Sequence, residues 1–338
     1  MKKTLFLVLL LLAVIAAMYY LKPDEAEQSS ILKYERNFKI ENVDRVAKIF
    51  IAHKDGKHFT LLKGPAYWTL KGRRVSDGAM KNVLMTLRSM EISYMPTKAA
   101  YKNIMKHMIH SGIKVEVYDE NDRKMKVYYI GGMPPSELGT YVMLEGSEQP
   151  FVVQRKFVEG SIRPVFQLNE DEWYDQAFFR LKPDEIKSIK VAYPYDQQNS
   201  FELKRNVEGE MNLVPLYPTQ EQIKLEPNPG LIDIYLSKFE EINSEAIINR
   251  FPLKDSIVQL VPFCSIELLT TQDELIAIKM YPKNEFYRDI NMDREFWNSG
   301  RIFRYYAQLN NGDFIIVQQL NIGKVLWKYP EFFRIKRE

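Results

Sequence analysis

Apolar and polar positions along the chain fall into two rhythms, a period of two and a period near 3.6, and the succession of rhythms occurs twice. Phe38-Lys39-Ile40-Glu41-Asn42-Val43-Asp44-Arg45-Val46-Ala47-Lys48-Ile49-Phe50-Ile51-Ala52 reads as an extended lead-in, a charged turn and an alternating strand. Phe179-Arg180-Leu181-Lys182-Pro183-Asp184-Glu185-Ile186-Lys187-Ser188-Ile189-Lys190-Val191-Ala192 has the same layout. Alternation of this kind puts the apolar side chains on one face of a sheet. Lys54-Asp55-Gly56-Lys57 is turn chemistry, so residues 49–53 and 59–63 are expected to form a hairpin.

A helix follows in each half. Ser76 is the expected N-cap of the first, with Met80, Val83, Leu84, Leu87 and Met90 at helical spacing. In the second, Asn228 is the cap, Pro229 takes the first helical position, and Ile232, Tyr235, Phe239 and Ile242 form the stripe. One spacing separates Gly78 from Gly230, Met80 from Ile232, Val83 from Tyr235, Leu87 from Phe239 and Met90 from Ile242. Other matches drift: Ile49 with Ile189, Phe59 with Phe201, Ile113 with Ile266, Phe151 with Phe314. The drift accumulates at residues 215–227 and 282–300, as when insertions fall in loops. Further strands are expected at 113–119, 124–130, 141–144 and 151–154, then at 266–270, 275–281, 305–309 and 314–318, with a second, weaker helix over 97–110. The expected fold is α+β: two related modules of short antiparallel strands with one principal helix each, spanning 34–172 and 173–338.

The N-terminus departs from both rhythms. Lys2-Lys3 precede an unbroken apolar stretch from Leu5 to Leu21, and Lys22-Pro23-Asp24-Glu25 follow it. The stretch is at the short end of what spans a bilayer. Its basic leading flank sets the N-terminus in the cytoplasm and the body in the periplasm or another extracytoplasmic space. A single transmembrane signal-anchor in the inner membrane is the preferred reading. A cleaved signal peptide is the alternative, and Met18-Tyr19-Tyr20 suit an interface better than a peptidase pocket. Residues 1–33 are thus expected to be anchor and tether.

Composition narrows the chemistry. With 46% hydrophobic and 27% charged residues, the 338-residue chain can bury cores in about two domains. Net charge is +3 with signs interspersed, so no basic face marks a nucleic-acid site. The single cysteine, Cys264, excludes an intramolecular disulfide, and its apolar surroundings read as core. His53, His58, His107 and His110 are the four histidines, without carboxylate or thiolate neighbours at metal-ligand spacing. Asp289-x-Asn291-x-Asp293-x-Glu295 starts like a calcium loop but has Arg294 and Gly300 where an EF-hand needs Gly and Glu. Glu170-Asp171-Glu172, before Trp173, reads as a solvated junction. No nucleophile elbow, phosphate loop or zinc-protease motif is present, so no enzyme activity, catalytic residue, cofactor or metal site is expected. The candidate interaction surface is the second insertion, where Phe286, Tyr287, Phe296 and Trp297 alternate with Arg288, Arg294 and Arg301, types that dominate interface energetics. An inward-folded mini-core is the competing account of those rings.

The apolar N-terminus, the Phe38-x-Ile40 lead-in with its Val46-x-Lys48-Ile49 strand, the Trp68 hairpin, the capped helix, and the Ile130-Gly131-Gly132 and Tyr141-Val142 strands together resemble the domain-of-unknown-function 4340 family. The resemblance covers most of residues 38–154 and extends more loosely to the second half. It implies a membrane-anchored or exported bacterial envelope protein, in some members associated with gliding-type ABC-transporter components. It carries no catalytic residues. The expectation is a non-catalytic envelope scaffold that binds an envelope protein, such as an ABC-transporter component; a periplasmic module for glycan or transporter substrate is the alternative.

Overall fold

Residues 37–283 and 302–333 are described in the computed structural model of the protein. The Leu5 to Leu21 stretch and all seven of Phe286, Tyr287, Arg288, Arg294, Phe296, Trp297 and Arg301 lie outside the described residues, as does the calcium-like Asp289 loop. Among the described residues no helix is long and apolar enough to cross a membrane. The chain divides into two units, Met1–Tyr174 and Asp175–Glu338.

The strands of the first unit are β1 (Val46–Ala52), β2 (His58–Lys63), β3 (Trp68–Leu70), β4 (Arg73–Arg74), β5 (Met90–Tyr94), β6 (Ile113–Asp119), β7 (Lys124–Ile130), β8 (Thr140–Leu144) and β9 (Phe151–Arg155). They form one sheet in the order β4-β3-β2-β1-β6-β7-β8-β9-β5, antiparallel throughout. The period of two is realised as burial: Ile49, Ile51, Phe59, Leu61, Val115 and Val117 are all buried on adjacent, paired strands. Helix α1 (Asp77–Ser89) begins where the Ser76 hydroxyl accepts from the Ala79 amide, and buries Met80, Val83 and Leu87. Helix α2 (Lys98–Ser111) buries only Ile104 and Met108.

In the second unit β10 (Ala177–Phe179) pairs with β14 (Ile242–Asn243). The larger sheet contains β11 (Ile186–Ala192), β12 (Phe201–Arg205), β13 (Met211–Pro215), β15 (Ala246–Ile247), β16 (Cys264–Thr270), β17 (Leu275–Pro282), β18 (Arg304–Leu309) and β19 (Phe314–Gln318). Its order is β13-β12-β11-β16-β17-β18-β19-β15, the order of the first sheet without β4. Helix α3 (Pro229–Ser237) is capped by Asn228, whose side chain accepts from the Gly230 amide.

The likeness extends to local devices. The β1–β6 ladder shifts register between Val46 and Lys48, and the β11–β16 ladder shifts between Ile186 and Ser188. At the β6–β7 turn the Asp119 carboxylate accepts from the amides of Asn121 and Arg123. At the β16–β17 turn the Thr270 hydroxyl accepts from those of Gln272 and Glu274. Asp122 (φ 57°) and Asp273 (φ 63°) take the left-handed corner of these turns, a conformation that Asp tolerates better than most residues. Lys48 pairs with Asp122 and Lys187 with Asp273. The lead-in is tied to the helix end in both units, Ile40 N to Leu87 O at 2.8 Å and Leu181 N to Phe239 O at 3.0 Å.

Each unit closes on a large ring supplied by its last residues. Trp173 O accepts from Ser76 N at 2.8 Å while its ring lies 6.5 Å from that of Phe59. Phe332 O accepts from Asn228 N at 2.9 Å while its ring lies 4.9 Å from that of Phe201. Trp173 and Phe332 are both fully buried. The division after Tyr174 follows from this, because Trp173 completes the core of the first unit.

Four expectations change. Ile51 pairs with Val115 and Val191 with Ile266, so the counterpart of Ile266 is Val115 and that of Ile113 is Cys264. By the β8–β9 and β18–β19 ladders, Phe151 corresponds to Ile315 and not to Phe314. The helical stripe over Ile232, Tyr235, Phe239 and Ile242 outlasts the helix: α3 stops at Ser237, Phe239 is buried in the turn after it, and Ile242 starts β14. Both side chains stay in the core because the lead-in strand pairs there. Finally, the first unit has two principal helices, since α2 is as long as α1. The corresponding part of the second unit holds a four-residue helix, Lys254–Ile257.

Candidate functional site

The insertion expected to carry recognition leaves the sheet at β17 and returns at β18. Tyr281 pairs with Tyr306 and Pro282 with Tyr305, and Lys283 N still reaches Arg304 O at 3.0 Å. The two ends of the insertion are therefore held side by side on a closed ladder. In the first unit β7 and β8 are joined by the short segment 131–139. Ile130 answers to Met280 and Val142 to Ala307, so the extra residues of the second meander fall between β17 and β18.

Aromatic side chains support the stem from both faces of β18. On one, Tyr305 stacks on Phe263 (5.6 Å between centroids, 25° between planes), which meets Tyr193 edge-on. On the other, Tyr306 stacks on Phe251 at 5.1 Å and on Phe314 at 5.7 Å. Offset stacking of this kind adds to the burial of the rings and fixes their planes. Burial pushes the Tyr305 phenol up to about 12 and raises Tyr193 further, so both stay neutral at physiological pH. Arg304 Nε sits 2.7 Å from the Glu245 carboxylate, and this hydrogen bond holds Glu245 below the usual carboxylate range. Lys283 lies over the Tyr306 ring at 5.8 Å. Phe303, just before the stem, is 40% exposed. Tyr305 is buried, as part of the expected strand and not of the insertion.

The first insertion, over 215–227, is pinned by Gln220. Its side chain is buried, donates to Gln198 O and Ser200 O and accepts from Tyr217 N, three bonds that one amide can make at once. No sequence signal marked Gln220, because a lone Gln in a Pro- and Gln-rich loop looks like solvated surface.

The remaining candidate residues do not converge. His53 stacks edge-on against Phe59, and burial holds its imidazole below the usual range. His58 faces Gly56 O, while His107 and His110 lie exposed on α2. Among the described residues no group of His, Cys, Asp and Glu is arranged to hold a metal. Cys264 is fully buried and burial pushes its thiol well up, so it has no thiolate character. Glu170 pairs with Lys71 at 2.8 Å and accepts from Tyr174, and Glu172 caps the short helix Glu170–Trp173, so the acidic cluster is structural. A groove of 330 Å³ runs beside α1, lined by Val43, Trp68, Met80, Leu84 and Met85 with Asp77, Lys81 and Arg88.

Residues 107–257 match the family model described as domain of unknown function DUF4340. The match starts within α2, crosses the division between the units and ends at the short helix Lys254–Ile257. It thus covers the later strands of the first unit and the earlier elements of the second, overlapping the 38–154 span of the resemblance at 107–154 and continuing into the second half. A comparison with curated proteins found no match.

Proposed function

From a chain matching DUF4340, we propose a membrane-anchored envelope scaffold built of two copies of one module, the second of which presents a protein-binding insertion. The observation that carries this reading is the β17–β18 stem. Two sheets of one order, apart from β4, differ at an insertion whose ends are closed by a backbone bond and braced by stacked rings on both faces. Holding an Arg- and aromatic-rich segment in place is what such a stem does well, because rigid support lowers the ordering cost of binding. The apolar stretch from Leu5 to Leu21 supports the anchor, with the body outside the cytoplasm.

The test is cross-linking in intact cells followed by affinity purification of the full chain. One reproducible envelope partner is expected, lost when residues 284–301 are replaced by a short turn. Absence of any reproducible partner overturns the scaffold reading. A melting temperature that rises with the concentration of a glycan would favour a ligand-binding module in its place.

A further inference from the structure

Among the described residues, helix α2 is the largest element of one unit whose counterpart in the other is much shorter, and the core does not account for its length. Only Ile104 and Met108 of its fourteen residues are buried. At about 100° per residue, Lys98, Lys102 and Lys106 fall within an arc of roughly 80° on the side opposite those two. All three are exposed, as are Ile109 at 67% and His110 on the same side. The helix has no acidic residue, and none of the three lysines is in an ion pair among the described residues. Several other basic side chains of this unit are paired, Lys48 with Asp122, Lys71 with Glu170, Arg74 with Asp77 and Lys114 with Glu116, whereas α2 gathers three that are not. An uncompensated basic helix face beside an exposed isoleucine has the chemistry of a contact with an anionic surface.

We propose that the Lys98–Lys102–Lys106 face of α2 docks on anionic phospholipid headgroups of the membrane in which the chain is anchored. The inference rests on the anchor reading for proximity. Between Leu21 and Asn37, the first described residue, lie 15 residues, which span at most about 50 Å fully extended. The first unit is therefore tethered close to a headgroup layer, and the charge of α2 complements that layer. Clustered lysines near such a surface gain from its potential within about a Debye length. A soluble partner protein would need acidic side chains matched to an i, i+4, i+8 pattern; a lipid surface needs only density of charge.

The test uses the full chain in nanodiscs containing phosphatidylglycerol and, separately, phosphatidylcholine alone, with acetylation of Lys98, Lys102 and Lys106 followed by peptide mass spectrometry. Acetylation of the three lysines is expected to slow at least about fivefold in the anionic discs, and salt near 1 M, where the Debye length falls to about 3 Å, should abolish the difference. Lys54 and Lys57, exposed on the β1–β2 turn, serve as internal controls that should not change. A spin label at Asn103 should report headgroup proximity in the anionic discs, and K98E/K102E/K106E should remove it while leaving the fold intact. Equal acetylation in both discs overturns the proposal, as does protection seen in cells but not in anionic discs, which would assign the face to a protein. Should the chain fail to insert, the anchor reading falls, and the same measurement with added anionic vesicles still decides the role of α2.

Discussion

Asp119 and Thr270 occupy corresponding corners of the two sheets, and each satisfies two backbone amides of its turn. The pair was not legible in the sequence, because a carboxylate and a hydroxyl share little beyond an acceptor at the right distance. T270A should lower the stability of the second unit by about 1–3 kcal/mol, the net worth of two such hydrogen bonds, as measured by urea unfolding. T270D should recover most of the stability lost in T270A, since Asp119 shows that a carboxylate fits the role. Lys126 makes a second prediction at this scale. Its ammonium donates to Asn37 O, and burial lowers it to about 8. Below that pH the lysine is charged in both folded and unfolded chains. Between about 8 and the usual lysine range the folded chain has lost the proton and the unfolded chain has kept it, so stability rises with pH across that window. K126M should remove this part of the pH dependence, and a variant that keeps the full slope would refute the assignment.

Among elements, the strands were the most legible because their alternation is local: β6, β7 and β19 have the expected limits. Helix ends were less so. The stripe through Phe239 and Ile242 keeps helical spacing after α3 has ended, since periodicity records burial and not backbone conformation. The cap residues Ser76 and Asn228 were legible because a side-chain acceptor before an apolar stripe has one obvious use. Of the candidate site, the position of the insertion was visible as drift between matched residues. The stem was not, because Phe263 stacks on Tyr305 and Phe251 on Tyr306 across long sequence separations. The stem sets an element-scale prediction. Replacing residues 284–301 by a short turn should leave thermal stability within about 1 kcal/mol of the parent, because loop shortening removes closure entropy from the unfolded chain and the stem stays paired. A large loss would mean that the insertion belongs to the core.

For the whole molecule, each unit has its own core and its own closing ring. W173A and F332A are each expected to cost about 3–5 kcal/mol, typical of deleting a large buried ring. Calorimetry should show W173A moving one transition and F332A the other. W173F should cost less than W173A, since it keeps an aromatic ring against Phe59 and removes an indole N–H that has no hydrogen-bond partner. The doubled sheet order was foreshadowed by matched apolar positions; the closing rings were hidden, because Trp173 follows an acidic run that looks like a junction and Phe332 sits near the C-terminus.

Those closing rings also set a timetable for assembly. A chain delivered N-terminus first, from ribosome or translocon, displays Phe59 and the N-cap amide of Ser76 long before Trp173 arrives to cover them. The first unit can then finish as soon as Trp173 emerges, with nothing from the second half required. The second unit waits in the same way for Phe332, which follows Phe201 by 131 residues. A chain stalled before Phe332 would therefore display a finished first unit and an open second one, its Phe201 and Tyr235 rings still waiting for Phe332.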